Sequence, residues 1–162
     1  MRGARVLQRD FDPALLLEAP LMAHLATAHP DGPRDSPLWF LWEAEAVWLV
    51  GTAVDSFMRR LQAEPRCALG LTRFEPEQGV LLHLGLRGRA TVGPQDPGRF
   101  RRLLAKYLGP DEAGWNPWFL GEIARIGAPE GRMARVEVET AVARNLSFFR
   151  TGPELAWPED RS

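Results

Sequence analysis

RDSPLWFLWEAEAVWLVGTAVDSFMRRLQAEPR, residues 34–66, decides how the rest of the chain is read. It divides into a strand (34–43), a turn at EAE (43–45), a second strand (46–52) and a short basic helix (55–64). In the helix, Phe57 or Met58, Leu61 and Ala63 recur at near-helical spacing, and Pro65 stops it. Pro37 cannot donate a ladder bond, so its part of the strand lies at an edge or a bulge. Three of the six tryptophans, Trp39, Trp42 and Trp48, fall in the first fifteen residues of the stretch. Trp39 and Trp42 are three apart on a strand and point to opposite faces; Trp48 reads as core. Arg59 and Arg60 follow where a helix begins to present free N–H groups. Helix N–H groups, hydroxyls and planar guanidinium forks all stabilise an anion, so the unit suits a flat aromatic ligand that carries a phosphate.

Toward the N-terminus, Asp12-Pro13 caps and opens a short helix, ALLLEA, which ends at Pro20. LMAHLATA (21–28) is apolar enough for a buried strand, with His24 expected as a hydrogen-bonded core histidine. HPDG (29–32) is turn chemistry, because Asp-Gly tolerates positive φ. Toward the C-terminus, RCALGLTRF (66–74) is a strand and PEQG a loop. VLLHLGLRGRATVG (80–93) is one long strand or two halves bent at Gly85 and Gly88, since interior glycines mark bulges or barrel corners. DPGRFRRLLAKYLG (96–109) is a helix: Asp96 caps it, Pro97 takes the first turn, and Phe100, Leu103, Leu104, Tyr107 and Leu108 form an apolar stripe. A loop and short aromatic helix follow (110–127), whose Trp115, Trp118 and Phe119 either cover a ligand cleft or, as the favoured reading, pack the helix onto the barrel. RMARVEVET (132–140) alternates, with Met133, Arg135, Glu137 and Glu139 on one face. AVARNLSFFR (141–150) is the last strand, and the tail from Thr151 is irregular.

At 162 residues, with 45% hydrophobic and 25% charged residues, the chain suits a single domain spanning 1–162 with its own core. A net charge of −1 gives no drive toward nucleic acid or anionic membrane. Nineteen of the twenty cations are arginine and Lys106 is the lone lysine, a bias that codon preference explains as well as ligand chemistry does. One cysteine, Cys67, precludes an internal disulfide, reads as a small core residue, and fits a reducing, cytoplasmic setting. The first twelve residues are too polar for a signal peptide, and no apolar run approaches membrane-spanning length. Six or seven strands in antiparallel hairpins with short helices make an α+β, mainly β chain; closing such a sheet removes its edges, which favours a small barrel.

No phosphate loop, CxxC pair, HExxH or GxSxG elbow is present, GLRGRA (85–90) lies inside a strand, and three scattered histidines make no metal site. The order of segments, however, resembles the FMN-binding split β-barrels similar to pyridoxine/pyridoxamine 5′-phosphate oxidase. The resemblance runs from about Leu15 to Phe149. It is carried by LATAHPDGPRDSPLWF, VWLVGT, RRLQAEPRCALGL, GLRGRATV, the Lys-Tyr-Leu-Gly helix end and RMARVEVE.

That resemblance implies a six- to seven-stranded antiparallel split barrel, paired as a homodimer with FMN in a cleft between two barrels. Carried over, Arg34, Asp35, Ser36, Pro37, Leu38 and Trp39 would line the isoalloxazine, Arg34 also reaching toward phosphate. Val50, Gly51 and Thr52 would lie beside the flavin and ribityl chain. Ser56, with Arg59 or Arg60, would take the phosphate. His83 would approach the flavin from the partner subunit, where relatives often carry glutamine. The phosphate segment departs from the pattern. Relatives show Ser-Arg-Lys and then Asn-Leu, whereas Phe57 and Met58 follow Ser56 here, Arg60 stands at the asparagine, and Pro65 comes one residue early. Either Arg59 and Arg60 restore the charge from the next turn, or phosphate is held less tightly.

The expected activity is an FMN-dependent or deazaflavin-using oxidoreductase acting on a small molecule. The flavin supplies the redox chemistry, and no protein acid or base is assigned. The alternative is a flavin- or haem-binding barrel that serves as sensor or carrier without turnover. Oxidation of vitamin B6 itself is not expected. The tryptophan- and arginine-rich C-terminal segment of the true oxidases is missing, and Trp157 and Arg161 are isolated.

Overall fold

The computed structural model describes residues 1, 3–125 and 127–147. Positions 148–150 of the last expected strand and the tail from Thr151, with Trp157 and Arg161, lie outside the described residues. The strands are β1 (Arg5–Arg9), β2 (Ala23–Thr27), β3 (Arg34–Leu38), β4 (Leu41–Glu43), β5 (Ala46–Thr52), β6 (Arg66–Glu75), β7 (Val80–Pro94) and β8 (Gly131–Asn145). The helices are α1 (Ala14–Leu17), α2 (Ser56–Ala63), α3 (Pro97–Leu108) and α4 (Pro117–Ala124).

All eight strands form one sheet in the order β3-β2-β6-β7-β8-β5-β4, with β1 added parallel to β8 and the other pairs antiparallel. The two ends of that order, β3 and β4, are joined only by Trp39 and Phe40. Three Cα–Cα steps of 3.8 Å reach at most about 11 Å. The sheet therefore curls until its edges meet, and the α+β chain is a split β-barrel whose split lies between β3 and β4. Phe40 sits at that junction and is fully buried.

The stretch expected as one strand over 34–43 is thus two, divided at the split. Of the two forms expected for 80–93, β7 takes the single strand, and the two strands expected at 132–140 and 141–150 are one continuous strand as far as Asn145. The glycine expectation is met at one point: opposite Arg87 stands Thr140 but opposite Gly88 stands Val138, so Glu139 is left without a cross-strand partner. A Cβ on Gly88 would lie 1.9 Å from the Glu137 carbonyl oxygen, so this bulge admits only glycine. β1 was not foreseen. Every residue of RVLQR is exposed, and the strand exists through its pairing to β8 rather than through a buried face.

Alternation on β2, β5, β7 and β8 points Ala23, Leu25, Val47, Leu49, Leu84, Leu86, Ala134 and Val136 into the barrel, where each is at most 2% exposed. α2 closes one mouth with Phe57, Met58 and Leu61, and each buried side chain of this size contributes about 1.5–3 kcal/mol as an upper estimate. Cys67 is buried at the edge of this core, and burial pushes its thiol up to about 11, so it is an inert packing residue. A second cluster lies outside the barrel wall. There Phe100 and Leu104 of α3, Trp115 and Met133 meet Trp39, Trp48, Val50 and Phe119. Trp39 and Trp42 do part, Trp42 toward the barrel core and Trp39 toward the outer cluster. Trp48 joins the outer cluster rather than the barrel core, with the Arg99 guanidinium 3.8 Å over its ring.

His24 departs from expectation. Its side chain is 57% exposed, bonded to Asp35 at 3.0 Å, because Ala23, Leu25 and Thr27 take the inward positions of β2. No helix among the described residues is long and apolar enough to cross a membrane.

Candidate functional site

α2 presents two faces because its residues recur with a period of 3.6. Phe57, Met58 and Leu61 go into the barrel; Ser56, Arg59, Arg60 and Ala63, spaced i, i+3, i+4, i+7, line one groove. The other wall is Ala28, His29 and Pro30 from the β2–β3 turn, and the groove encloses about 350 Å³. Arg60 crosses its floor. Its Nε donates to Thr27 Oγ1 at 2.7 Å and its Nη2 to Ser36 Oγ at 3.1 Å. Thr27 is only 3% exposed, the one buried polar residue among those described. The Arg60 guanidinium is therefore held by neutral hydroxyls, and no carboxylate among the described residues neutralises it. Arg59 is exposed, and its guanidinium has no hydrogen-bond or ion-pair partner among the described residues. Two uncompensated guanidiniums and the Ser56 hydroxyl on one wall fit a phosphate dianion by charge and by donor geometry.

The nearest acid is turned away. Asp55, just before α2, accepts the Thr52 N–H at 2.6 Å and the Thr52 hydroxyl at 3.1 Å. Its carboxylate folds against the end of β5. A Cβ on Gly51 would meet it at 2.7 Å and the Phe57 ring at 2.9 Å, which is why glycine stands there. This occupies the donors of Thr52. Arg34 also turns away from the groove: Nη1 donates to the Gly32 and Pro33 carbonyls, and Nη2 lies 3.7 Å from Asp31.

Along β3, Ser36 and Leu38 share one face while Asp35 and Pro37 occupy the other, by simple alternation. Ser36 marks the groove end. Leu38, about 7 Å further along the strand, opens a second cavity. That slot encloses about 220 Å³ and is lined by Leu38, Trp39, Val50, Phe100, Leu103, Leu104, Trp118, Phe119 and Glu122. Trp39 is sandwiched there. Tyr107 stacks on one side at 4.5 Å and 2°, and Phe119 lies at 5.5 Å and 16°.

The sandwich is pinned by polar bonds. The Tyr107 hydroxyl donates to the Leu21 carbonyl at 2.7 Å and accepts from the Phe40 N–H at 3.1 Å; burial pushes it up to about 12. Lys106 donates to the Leu17 and Phe40 carbonyls at 2.8 and 3.2 Å, with Nζ 3.4 Å over the Phe40 ring. Its burial brings the ammonium down to about 8.

His83 stands apart. It points outward from β7, between inward Leu82 and Leu84, and lies across Gly70 and Gly85 in a separate groove of about 410 Å³ that Arg87 and Arg144 border. Burial, and then the Arg144 charge, hold its imidazole below the usual histidine range. Within one chain His83 and the α2 groove are thus on different faces of the sheet.

Of the residues expected from the sequence, Ser36, Ser56, Arg59 and Arg60 converge at the groove, and Leu38, Trp39 and Val50 at the slot. Gly51 and Thr52 lie between and are engaged by Asp55, while Arg34, Asp35, Pro37 and His83 point elsewhere within the chain. Thr27 and Tyr107 were not foreseen as site residues, while Phe119, for which packing was preferred to covering a cleft, lines the slot. The inward position of Thr27, two after Leu25, was a readable signal for the first; nothing local pointed to Tyr107.

No family model and no curated protein matches the sequence. Solved structures do. An F420 reductase is 26% identical, with a TM-score of 0.58 over 79% of this chain and 94% of its own. A conserved hypothetical protein of Mycobacterium tuberculosis is 16% identical, with a TM-score of 0.68 over 94% of this chain and 98% of its own. A putative pyridoxamine 5′-phosphate oxidase of Listeria innocua is 14% identical, with a TM-score of 0.57 over 82% and 94%. The chain shares the split-barrel fold of these solved structures. In this split barrel the basic groove lies at one end of β3 and the aromatic slot at the other.

Proposed function

We propose that this split barrel is an oxidoreductase that uses FMN or a deazaflavin, with the phosphate in the α2 groove. The observation that carries the reading is the pair Arg59 and Arg60, uncompensated by any carboxylate among the described residues and set on one helix face with Ser56. Arg59 and Arg60 make charge-assisted bonds to the phosphate oxygens, Ser56 donates its hydroxyl, and Thr27 and Ser36 keep the Arg60 fork aimed into the groove. The next-turn arginines thus stand in for the missing Ser-Arg-Lys charge. From there the ring system follows β3 toward Leu38 and Trp39, with Val50 beside it. The flavin supplies hydride chemistry; the protein binds it, orients it and excludes water from one face.

The wall from a second copy is part of the same reading. A homodimer that brings the partner's outward β7 face over β3 places its histidine against the ring, and small Gly70 and Gly85 permit a close approach of the two sheets.

The test is an absorbance spectrum of the purified protein followed by titration with FMN. Yellow colour or saturable quenching of flavin fluorescence is the expected result. Absence of both, together with no binding of a deazaflavin, removes the reading. Reduction of the bound cofactor and its reoxidation by a small molecule separates an enzyme from a carrier.

A further inference from the structure

The aromatic slot extends beyond the residues that the cofactor reading uses. Leu38, Trp39 and Val50 are common to both, but the remaining walls come from α3 and α4. α4 (PWFLGEIA) is almost wholly apolar, yet none of its residues is fully buried; Trp118 is 65% exposed at the slot wall, edge-on to Phe119 at 4.9 Å and 85°. Its start is fixed by the Asn116 side chain, which accepts from the Trp118 N–H at 3.0 Å, so the tryptophan is held at the mouth. An apolar helix poised over an apolar cavity leaves aromatic surface for a ligand to cover. Size limits that ligand. An engineered apolar cavity of about 150 Å³ holds benzene, so 220 Å³ accommodates one substituted ring or a small bicycle. Charge limits it further: Glu122 is the single ionisable residue in the described lining, its Oε1 accepts from Arg125 Nη1 at 3.3 Å, and its other oxygen favours a neutral donor over an anion.

We infer that this slot binds a small uncharged aromatic compound of one or two rings, with a hydroxyl or similar donor directed to Glu122, and that this compound is the substrate. Calling it the substrate rests on the flavin reading; the binding does not. The shared residues Leu38, Trp39 and Val50 place such a compound at the end of the ring's path, where reacting groups meet.

The experiment is calorimetric titration of the full chain with 2-naphthol and with 2-naphthoate, with and without saturating FMN. One naphthol per chain is expected, with at least about tenfold preference over naphthoate, and that preference shrinks in Glu122→Gln. Val50→Phe, which fills the slot, weakens naphthol at least about tenfold, and Trp118→Ala, at an exposed position that leaves the fold intact, several-fold. If Val50→Phe fails to fold, Trp118→Ala decides. Simultaneous binding of FMN and naphthol supports the inference. Naphthol binding without any flavin or deazaflavin binding keeps the slot and discards the flavin reading. No saturable naphthol binding, an affinity untouched in both folded variants, or competitive displacement by FMN overturns the inference, the last because the slot would then be the seat of the flavin ring itself.

Discussion

Two short helices each carry arginines, and they use them in opposite ways. On α3, Arg99 and Arg102 both grip Glu43: the two Nε atoms lie 2.6 Å from its two carboxylate oxygens, and Arg102 Nη2 adds a contact at 3.1 Å. Arg101 is likewise paired with Glu112. On α2, Arg59 faces the groove without a partner and Arg60 meets only hydroxyls, among the described residues. The helices resemble one another as sequences, RFRRLL and SFMRRL, each a basic stripe beside an apolar one. What separates them is the element opposite. The β4–β5 hairpin brings an acid to α3; the β2–β3 hairpin brings a threonine from β2 and a serine from β3 to α2. A satisfied arginine holds structure, and an unsatisfied one is available for a ligand.

The largest expected effect breaks that contrast directly. Arg59→Ala with Arg60→Ala should weaken FMN at least about a hundredfold, since each charge-assisted bond to phosphate contributes about 1.5–3 kcal/mol. The thermal midpoint should fall by a few degrees, because the buried Thr27 hydroxyl loses its Arg60 partner. A variant that binds FMN as the wild type does would show that the phosphate lies elsewhere.

Next comes Thr27→Val. Losing the bond from the cationic Arg60 fork, about 1.5–3 kcal/mol, should weaken FMN at least about tenfold, and Thr27→Ser should restore it. If serine does not rescue, the effect is one of packing.

Glu43→Gln tests the other helix. It should lower the thermal midpoint by about 2–4 °C, for a loss of about 1 kcal/mol, and leave FMN affinity unchanged. The Arg102 hydrogen bond, then Arg99, holds the Glu43 carboxyl below its ordinary value of 4.5. A lowered folded-state value means the stabilisation is present above pH 4.5 and lost as pH falls through the lowered value. The midpoint difference between wild type and Glu43→Gln should therefore vanish in acid.

The smallest effect is alkaline. Lys106 titrates near 8 in the fold against an ordinary 10.5, so the unfolded chain binds more protons between those values and stability rises with pH across that window. Tyr107, raised to about 12 from 10, works the opposite way and loses stability as pH rises from 10 to 12. Lys106→Met should remove the rise between pH 8 and 10, read as a difference of slopes in thermal midpoint against pH. Equal slopes would mean that the two carbonyls and the Phe40 ring hold the lysine protonated.

The local patterns were legible because they depend on neighbours in sequence. Alternation around Val47 and Leu49, the Asp96 cap on α3, the glycine bulge at Gly88 and the 56, 59, 60, 63 stripe of α2 all follow from strand and helix periods. The hairpin turn was legible in place but not in form. Ala44 and Glu45 both take positive φ, 51° and 59°, where Asn-Gly is the usual choice, so turn chemistry gave no warning. β1 left no trace either, since its residues bury nothing.

The site divides along the same line. By itself the sequence determined that Arg59 and Arg60 share a face with Ser56 and that Trp39 and Trp42 point to opposite sides, because 3.6- and 2-residue periods leave little choice. Only the tertiary structure decided which arginines are free. Arg60 meets Thr27 and Ser36 across 33 and 24 residues, Glu43 reaches Arg99 and Arg102 across 56 and 59, and Arg34 is spent on its own turn. The period fixes which way a side chain points, while its charge is neutralised or left open by whatever strand pairing brings opposite it.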